Sequence, residues 1–266
     1  MVLRYFGGKG KIKHLLVGAI LKQLEKLDWQ VGRSNIMAYA EPFAGMLSVG
    51  LVLLPRLPPS VRRVYISDAD RNVVTFWTAI AHSNWVPTAS PVSAQKWTTM
   101  RVRCRQRQRP CTPQEFVYGQ HLSYMGKFFA HVQPDPMMNV GPSLQRVGVR
   151  IHAARSILRT YTVHVCNAAF TNMEYSNALI YCDPPYRGLR ENQWRQSAGV
   201  GDWDERGFWA KVGSWLQPSR KNLVFVSSAS IPATTGSVRV RVIWKMQNGI
   251  NGHRPRMEYL LFCTLP

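Results

Sequence analysis

The sequence predicts an α/β fold, a parallel sheet built from strand–helix–strand units with a further stretch inserted partway along the chain. Three observations predict it. From residue 12 to residue 82, helical stripes alternate with short apolar runs. Ala178–Cys182 is a five-residue apolar run that stops at Asp183, Pro184 and Pro185. Between residues 85 and 150 the periodicity fades, and Pro, Gln, Arg and Ser accumulate.

Each element has its own signal. Ile12, Leu15, Leu16, Ala19, Ile20, Leu24 and Leu27 recur at helical spacing and predict a helix over 12–27. Ile36 to Ala40 reads as a strand that meets Glu41-Pro42-Phe43-Ala44-Gly45. A short helix is expected from Ser48 to Leu54, stopped by Pro55. Val64–Ile66 reads as a second strand ending at Ser67-Asp68, and helix resumes from Val73 to His82. After the insertion, helix is expected at 151–161 and strand at Thr162–Cys166 and Ala178–Cys182. A helix at Glu205–Leu216 then precedes a strand at Leu223–Ser227. Arg239–Trp244 and Tyr259–Cys263 read as a hairpin around Gly249 and Gly252. The expected division is a main domain of residues 1–84 and 151–266, with 85–150 inserted into it.

Composition narrows the function classes. The 266 residues carry 34 Lys plus Arg against 14 Asp plus Glu, a formal net charge of +20. An excess of that size points to a polyanion, with nucleic acid the first expectation. No apolar run reaches the ~18 residues of a membrane span. No secretory hydrophobic stretch follows Met1, so a cytoplasmic protein is expected. Cys104, Cys111, Cys166, Cys182 and Cys263 are odd in number and irregularly spaced, which predicts free thiols and no zinc site. Cys166, Cys182 and Cys263 sit in apolar runs and are expected in the core.

The chemistry concentrates at Asp183-Pro184-Pro185-Tyr186. Two prolines fix φ and remove backbone donors, so the carboxylate, the Pro184 carbonyl and the Tyr186 ring stand on a stiff exit from a buried strand. Such a corner suits an amine. The run resembles the catalytic motif of DNA amino-methyltransferases, and the wider pattern resembles the Dam-like adenine-N6 group. Tyr5-Phe6-Gly7-Gly8-Lys9 is similar to that family's N-terminal aromatic-x-Gly-Gly-Lys motif. Glu41, Pro42, Phe43, Gly45 and Ser48 match its cofactor loop, and the chain departs from it at Leu47, where the family usually has a second Gly.

The resemblance implies a Rossmann-like S-adenosylmethionine-dependent methyltransferase sheet with an inserted, mainly helical DNA-recognition domain. It implies S-adenosylmethionine as cofactor, bound by Tyr5, Lys9, Glu41, Phe43, Gly45, Asp68, Phe170 and Asp183. Lys9 would meet the cofactor carboxylate, and Leu47 would add bulk near its methionine end. Asp68 ends a strand where a carboxylate can accept ribose hydroxyls, while Asp70 is read as the cap of the following helix. Asp183, Pro184, Pro185 and Tyr186 would be catalytic, with no metal. Arg101, Arg103, Arg105 and Arg107 could neutralise phosphates, from one face if extended or spread around a helix. Tyr124, Lys127, Asn139 and Arg254 resemble the family's DNA-contacting regions. The expected partner is DNA and the expected reaction methylation of N6 on a flipped adenine. An RNA or cytosine-N4 amino-methyltransferase on the same scaffold is the alternative, as is a nucleic-acid-binding relative that has lost catalysis.

Overall fold

A computed structural model describes residues 2–3, 8–27, 36–106, 110–123, 128–129, 141–185, 203–233, 235–248 and 256–266. Seven strands form one sheet: β1 (Ala38–Glu41), β2 (Arg63–Asp68), β3 (Thr162–Asn167), β4 (Ala178–Cys182), β5 (Leu223–Ser228), β6 (Arg239–Asn248) and β7 (Arg256–Thr264). Their spatial order is β3-β2-β1-β4-β5-β7-β6. β1 to β5 are mutually parallel, and β7 is antiparallel to both β5 and β6. This is the Rossmann-like α/β sheet expected from the sequence, with one antiparallel strand, β7.

The helices are α1 (Lys13–Lys26), α2 (Gly50–Leu53), α3 (Arg71–His82), α4 (Ala94–Gln106), α5 (Pro113–His121), α6 (Gly141–Leu158) and α7 (Glu205–Trp215). Local chemistry explains their starts. Asp70 caps α3 by accepting from the Asn72 N–H, as its place before the helix suggested. Thr112 and Glu115 form a reciprocal capping box on α5, with Pro113 in the first turn. Asp204 caps α7 through the Gly207 N–H.

Alternation along the strands divides the core between the two faces of the sheet. Tyr39, Val64, Ile66, Leu179, Tyr181 and Phe225 face one cluster, shared with α1, α3, α4, α5 and α6. Ala38, Ala40, Ile180, Cys182, Val224 and Val226 face the other, covered by Phe208, Trp209, Val212 and Trp215 of α7. The central strand β4 is buried at every position because both faces are covered.

Four expectations need correction. α6 begins at Gly141, ten residues before the helix expected from periodicity, so it crosses the expected boundary at 150/151. Its polar opening turns hid it. Leu15 and Leu27 of the predicted α1 stripe are exposed, and Val17 and Gln23 are buried in their place. Cys104 and Cys111 are joined as a disulfide between α4 and the start of α5, with Cα atoms 5.7 Å apart, so not all five thiols are free. Cys182 and Cys263 lie in the core as expected, but Cys166 is exposed. It sits on edge strand β3, whose outward positions nothing covers among the described residues.

Candidate active site at the strand ends

The strand order reverses between β1 and β4, which pair in parallel from Ala38 with Ala178 to Ala40 with Ile180. A crevice opens beyond the carboxyl ends of the strands at such a reversal. Glu41 ends β1 and Asp183 follows β4, so the two carboxylates stand at this point. Asp68, at the end of β2, is one strand further along.

Glu41 is 2% exposed. The Tyr39 hydroxyl donates to its Oε1 at 2.6 Å and the Gly50 N–H at 2.8 Å. Gly50 permits this approach, since a Cβ there would lie 2.7 Å from Glu41 Oε1 and 2.9 Å from Tyr39 Cε1. Burial pushes the Glu41 carboxyl up to about 8, outweighing the two hydrogen bonds that favour its ionised form, and Asp183 adds to the rise.

The loop after Glu41 is pinned by backbone bonds. Ala44 N–H donates to the Ser67 carbonyl at 2.9 Å, and Gly45 N–H donates to Asp68 Oδ2 at 2.9 Å. The Trp77 indole N–H donates to the Gly45 carbonyl at 2.8 Å. Gly45 has φ 44° and Leu47 φ 47°. The left-handed conformation at 47 explains why glycine suits this place in the family pattern. Here a leucine occupies it, its side chain fully buried in the core cluster.

Asp68 accepts the Asp70 N–H on Oδ1 and the Gly45 N–H on Oδ2, both at 2.9 Å. Desolvation outweighs these donors and moves its carboxyl up to about 6. The Ala69 N–H also bonds this carboxylate, so three backbone donors hold it and about one acceptor site remains for a hydroxyl. Phe43 and Phe170, half-buried, lie 5.5 Å apart with Trp203 5.7 Å and 5.5 Å from them and Phe208 behind. Ser48 is buried, and its Oγ has no hydrogen-bond partner among the described residues. An orphaned hydroxyl, a carboxylate with acceptor capacity left and a group of rings fit a nucleoside cofactor with a polar tail.

Asp183 is 20% exposed, and Pro184 behind it is buried. Lys9, 6% exposed, places its Nζ 2.6 Å from Asp183 Oδ1 and 3.5 Å from Glu258 Oε1. The expectation put Lys9 against a cofactor carboxylate. In the structure its ammonium is instead held by Asp183. Burial, then Asp183, and further Glu41 and Glu258 push the Tyr181 hydroxyl well above its usual range, a sign of how closely these carboxylates gather.

The structure brings together Lys9, Glu41, Phe43, Gly45, Asp68, Phe170, Asp183, Pro184 and Pro185 at one end of the sheet. Tyr5, Tyr186, Arg107, Tyr124, Lys127, Asn139 and Arg254 lie outside the described residues, as does the side chain of Arg105. Arg101 and Arg103 lie on α4, a helix, so their side chains leave it in different directions. Arg101 is exposed, while Arg103 forms an ion pair with Glu115. A cleft of about 530 Å3 between α4 and α5 is lined by Lys96, Arg103, Glu115 and Tyr118 among others, away from the strand ends. Sequence reasoning missed Gly50, Trp77, Trp203 and Glu258 as parts of the site. Glu258 had a signal, being the lone carboxylate of the mainly apolar strand β7.

No protein-family model and no curated protein sequence matches the chain. Among solved structures, two of the rRNA methyltransferase aviRa from Streptomyces viridochromogenes resemble it, at 13% and 12% identity and TM-scores of 0.43 and 0.44. Each covers 94% of this chain and 84% of that one. HI0767 from Haemophilus influenzae is similar at 12% identity and a TM-score of 0.35, over 91% of this chain and 87% of that one. These scores are low, and the fold rests on the order and direction of the strands.

Proposed function

We propose that this chain is an S-adenosylmethionine-dependent amino-methyltransferase that methylates N6 of an adenine flipped out of DNA. One observation carries the reading. Asp183, on a proline-stiffened exit from β4, meets the Glu41–Gly50 loop from β1 at the reversal point of the sheet. An amine acceptor and a cofactor loop thus share one crevice. The resemblance of Asp183–Tyr186 to the amino-methyltransferase motif and the net charge of +20 support the choice of substrate.

When bound, the cofactor supplies a sulfonium methyl group, which an amine nitrogen attacks as the carbon–sulfur bond breaks. The residues do the rest by placement. Asp68 would accept a ribose hydroxyl, Phe43 and Phe170 would flank the cofactor base, and Ser48 would bond its polar part. Asp183 and the Pro184 carbonyl would accept hydrogen bonds from the substrate amino group. Those bonds draw the nitrogen lone pair out of conjugation with the ring and aim it at the methyl. Tyr186 is assigned, from its place in the motif, to stack on the base. The amino proton leaves to solvent after transfer.

The test is incorporation of radiolabelled methyl from S-adenosylmethionine into duplex DNA and into RNA, with the modified nucleoside identified by chromatography. N6-methyladenine in DNA is expected, lost in Asp183→Ala with nucleic-acid binding retained. Labelled RNA or N4-methylcytosine would replace the substrate assignment. Near-normal turnover by Asp183→Ala would remove the mechanism.

A further inference from the structure

We infer that Trp77 is a positioning residue for the cofactor: its indole N–H holds the central peptide of the Ala44–Leu47 turn in one of two orientations, and so sets how the loop meets its ligand. The inference rests on the S-adenosylmethionine reading above and concerns the cofactor half of the site alone.

The turn has a joint that its closing bond leaves free. The Leu47 N–H donates to the Ala44 carbonyl at 2.7 Å, which places Gly45 and Met46 at the centre of the turn. Gly45 has φ 44°. Turns that open on a positive φ are of types I′ and II′, and these differ in which way the central peptide points while the closing bond is kept. The peptide before Gly45 is fixed from β2, since its N–H donates to Asp68 Oδ2 at 2.9 Å. The central peptide runs from the Gly45 carbonyl to the Met46 N–H, and the soft dihedrals of a glycine separate the two.

Trp77 supplies the constraint on that second peptide. Its Nε1–H donates to the Gly45 carbonyl at 2.8 Å. The indole is itself immobilised, because Val73, Phe76, Trp77 and Ile80 form the buried face of α3. An indole donates and does not accept, so it can hold this carbonyl and cannot hold the N–H of a reversed peptide. With the carbonyl at α3, the planar trans peptide turns the Met46 N–H to the opposite side. Reversal would put Met46 at positive φ, which a non-glycine residue resists. An unpaired, half-buried carbonyl resists the present orientation. While Trp77 donates, both effects favour the observed peptide. Without the donor they oppose each other, and two orientations compete for the loop. The same stretch carries the Ser48 hydroxyl, buried and without a hydrogen-bond partner among the described residues, so a ligand has a polar group to meet there.

The experiment is equilibrium binding of S-adenosylmethionine at pH 8, with single-turnover methyl transfer at saturating cofactor and DNA, and thermal unfolding of every variant. Trp77→Phe keeps a large apolar ring and loses the donor. Trp77→His gives up the six-membered ring and puts a ring N–H where the indole nitrogen stood. Trp77→Phe should therefore melt the higher of the two yet bind the cofactor more weakly, by about 3- to 10-fold against wild type, because the competent orientation is only partly populated. Trp77→His should stay within about threefold of wild type. Rates at saturating cofactor should stay within about twofold in both, since ligand binding restores the competent loop. Ile80→Ala loses packing on the same buried face one turn on, without touching the loop. It should bind the cofactor as wild type does although its melting temperature falls. Wild-type affinity in Trp77→Phe, or an order of affinities that follows melting temperature, would overturn the inference while the proposed function stood. So would a loss of affinity in Ile80→Ala equal to that in Trp77→Phe, which decides the matter even where Trp77→His does not fold. A wild-type chain that binds no S-adenosylmethionine would overturn both.

Discussion

At the scale of single residues, two positions show magnitudes deciding between opposed effects. Leu47 has φ 47°, a conformation that costs a non-glycine residue roughly 1–2 kcal/mol. The same leucine is fully buried, and removing such a side chain costs about 3–5 kcal/mol. Leu47→Gly is therefore expected to destabilise the protein by about 1–4 kcal/mol in denaturant unfolding, although glycine relieves the backbone. A more stable variant would mean that backbone strain outweighs packing. Glu41 is the second case. Its folded-state value of about 8 lies above its ordinary 4.5, so the native state holds a proton that the unfolded chain releases. That contribution is full below about pH 4.5 and declines as pH rises towards 8, by at most about 1.4 kcal/mol per pH unit. A Gln carbonyl can still accept from Tyr39 and Gly50. Glu41→Gln should accordingly flatten the fall in melting temperature between pH 5 and 8, and should melt above wild type at pH 8. Parallel curves for the two proteins would sink the claim that Glu41 is neutral when folded.

At the scale of elements, helix geometry changes the meaning of a sequence pattern. Arginines at alternate positions share a face on a strand but diverge on α4. Arg101 projects to solvent, while Arg103 is held by Glu115 across to α5. If α4 meets DNA, the two should differ. Arg101→Gln should lower the salt slope of DNA binding by about 0.9, whereas Arg103→Gln should lower it little and loosen the α4–α5 contact. Equal effects on the slope would show that Glu115 releases Arg103 to a phosphate. The cysteines divide by element in the same way. Native alkylation without reductant should label Cys166 on edge strand β3, and leave Cys182 and Cys263 unmodified until unfolding. Burial also pushes both core thiols up, which removes their nucleophilic form. Cys104 and Cys111 should react only after reduction. Mass mapping checks each site.

At the scale of the whole molecule, the described part of the insertion shares its core with the sheet. Phe116 of α5 lies 5.2 Å from Phe76 of α3, ring to ring. The Cys111 N–H donates to Asn72 of α3, and Arg155, where α6 runs on past residue 150, donates to the Ile80 carbonyl. α3 begins just after Asp68, so the insertion is fastened to the element that follows the ribose candidate. Phe116→Ala should cost about 3–5 kcal/mol and lower one cooperative transition. Far-ultraviolet circular dichroism and tryptophan fluorescence should report it at the same midpoint. An insertion that melted separately, with the remainder at its wild-type midpoint, would show two folding units.

The sequence by itself determined the parallel strands and the capping of α3. β4 matches its expected span of Ala178–Cys182, and Asp70 caps α3 as its position implied. Those features are local: apolar runs, proline stops and caps act within a few residues, and their signals survive in one dimension. Tertiary structure decided what depends on distant partners. Lys9 meets Asp183 across 174 positions in the chain, and Trp77 reaches Gly45 across 32. Glu258 joins them only because β7 turns antiparallel beside β5. Gly50 matters because a buried carboxylate from another element fills the space where its Cβ would stand. Burial and long-range pairing have no period along the chain, so they enter only when the sheet closes around them.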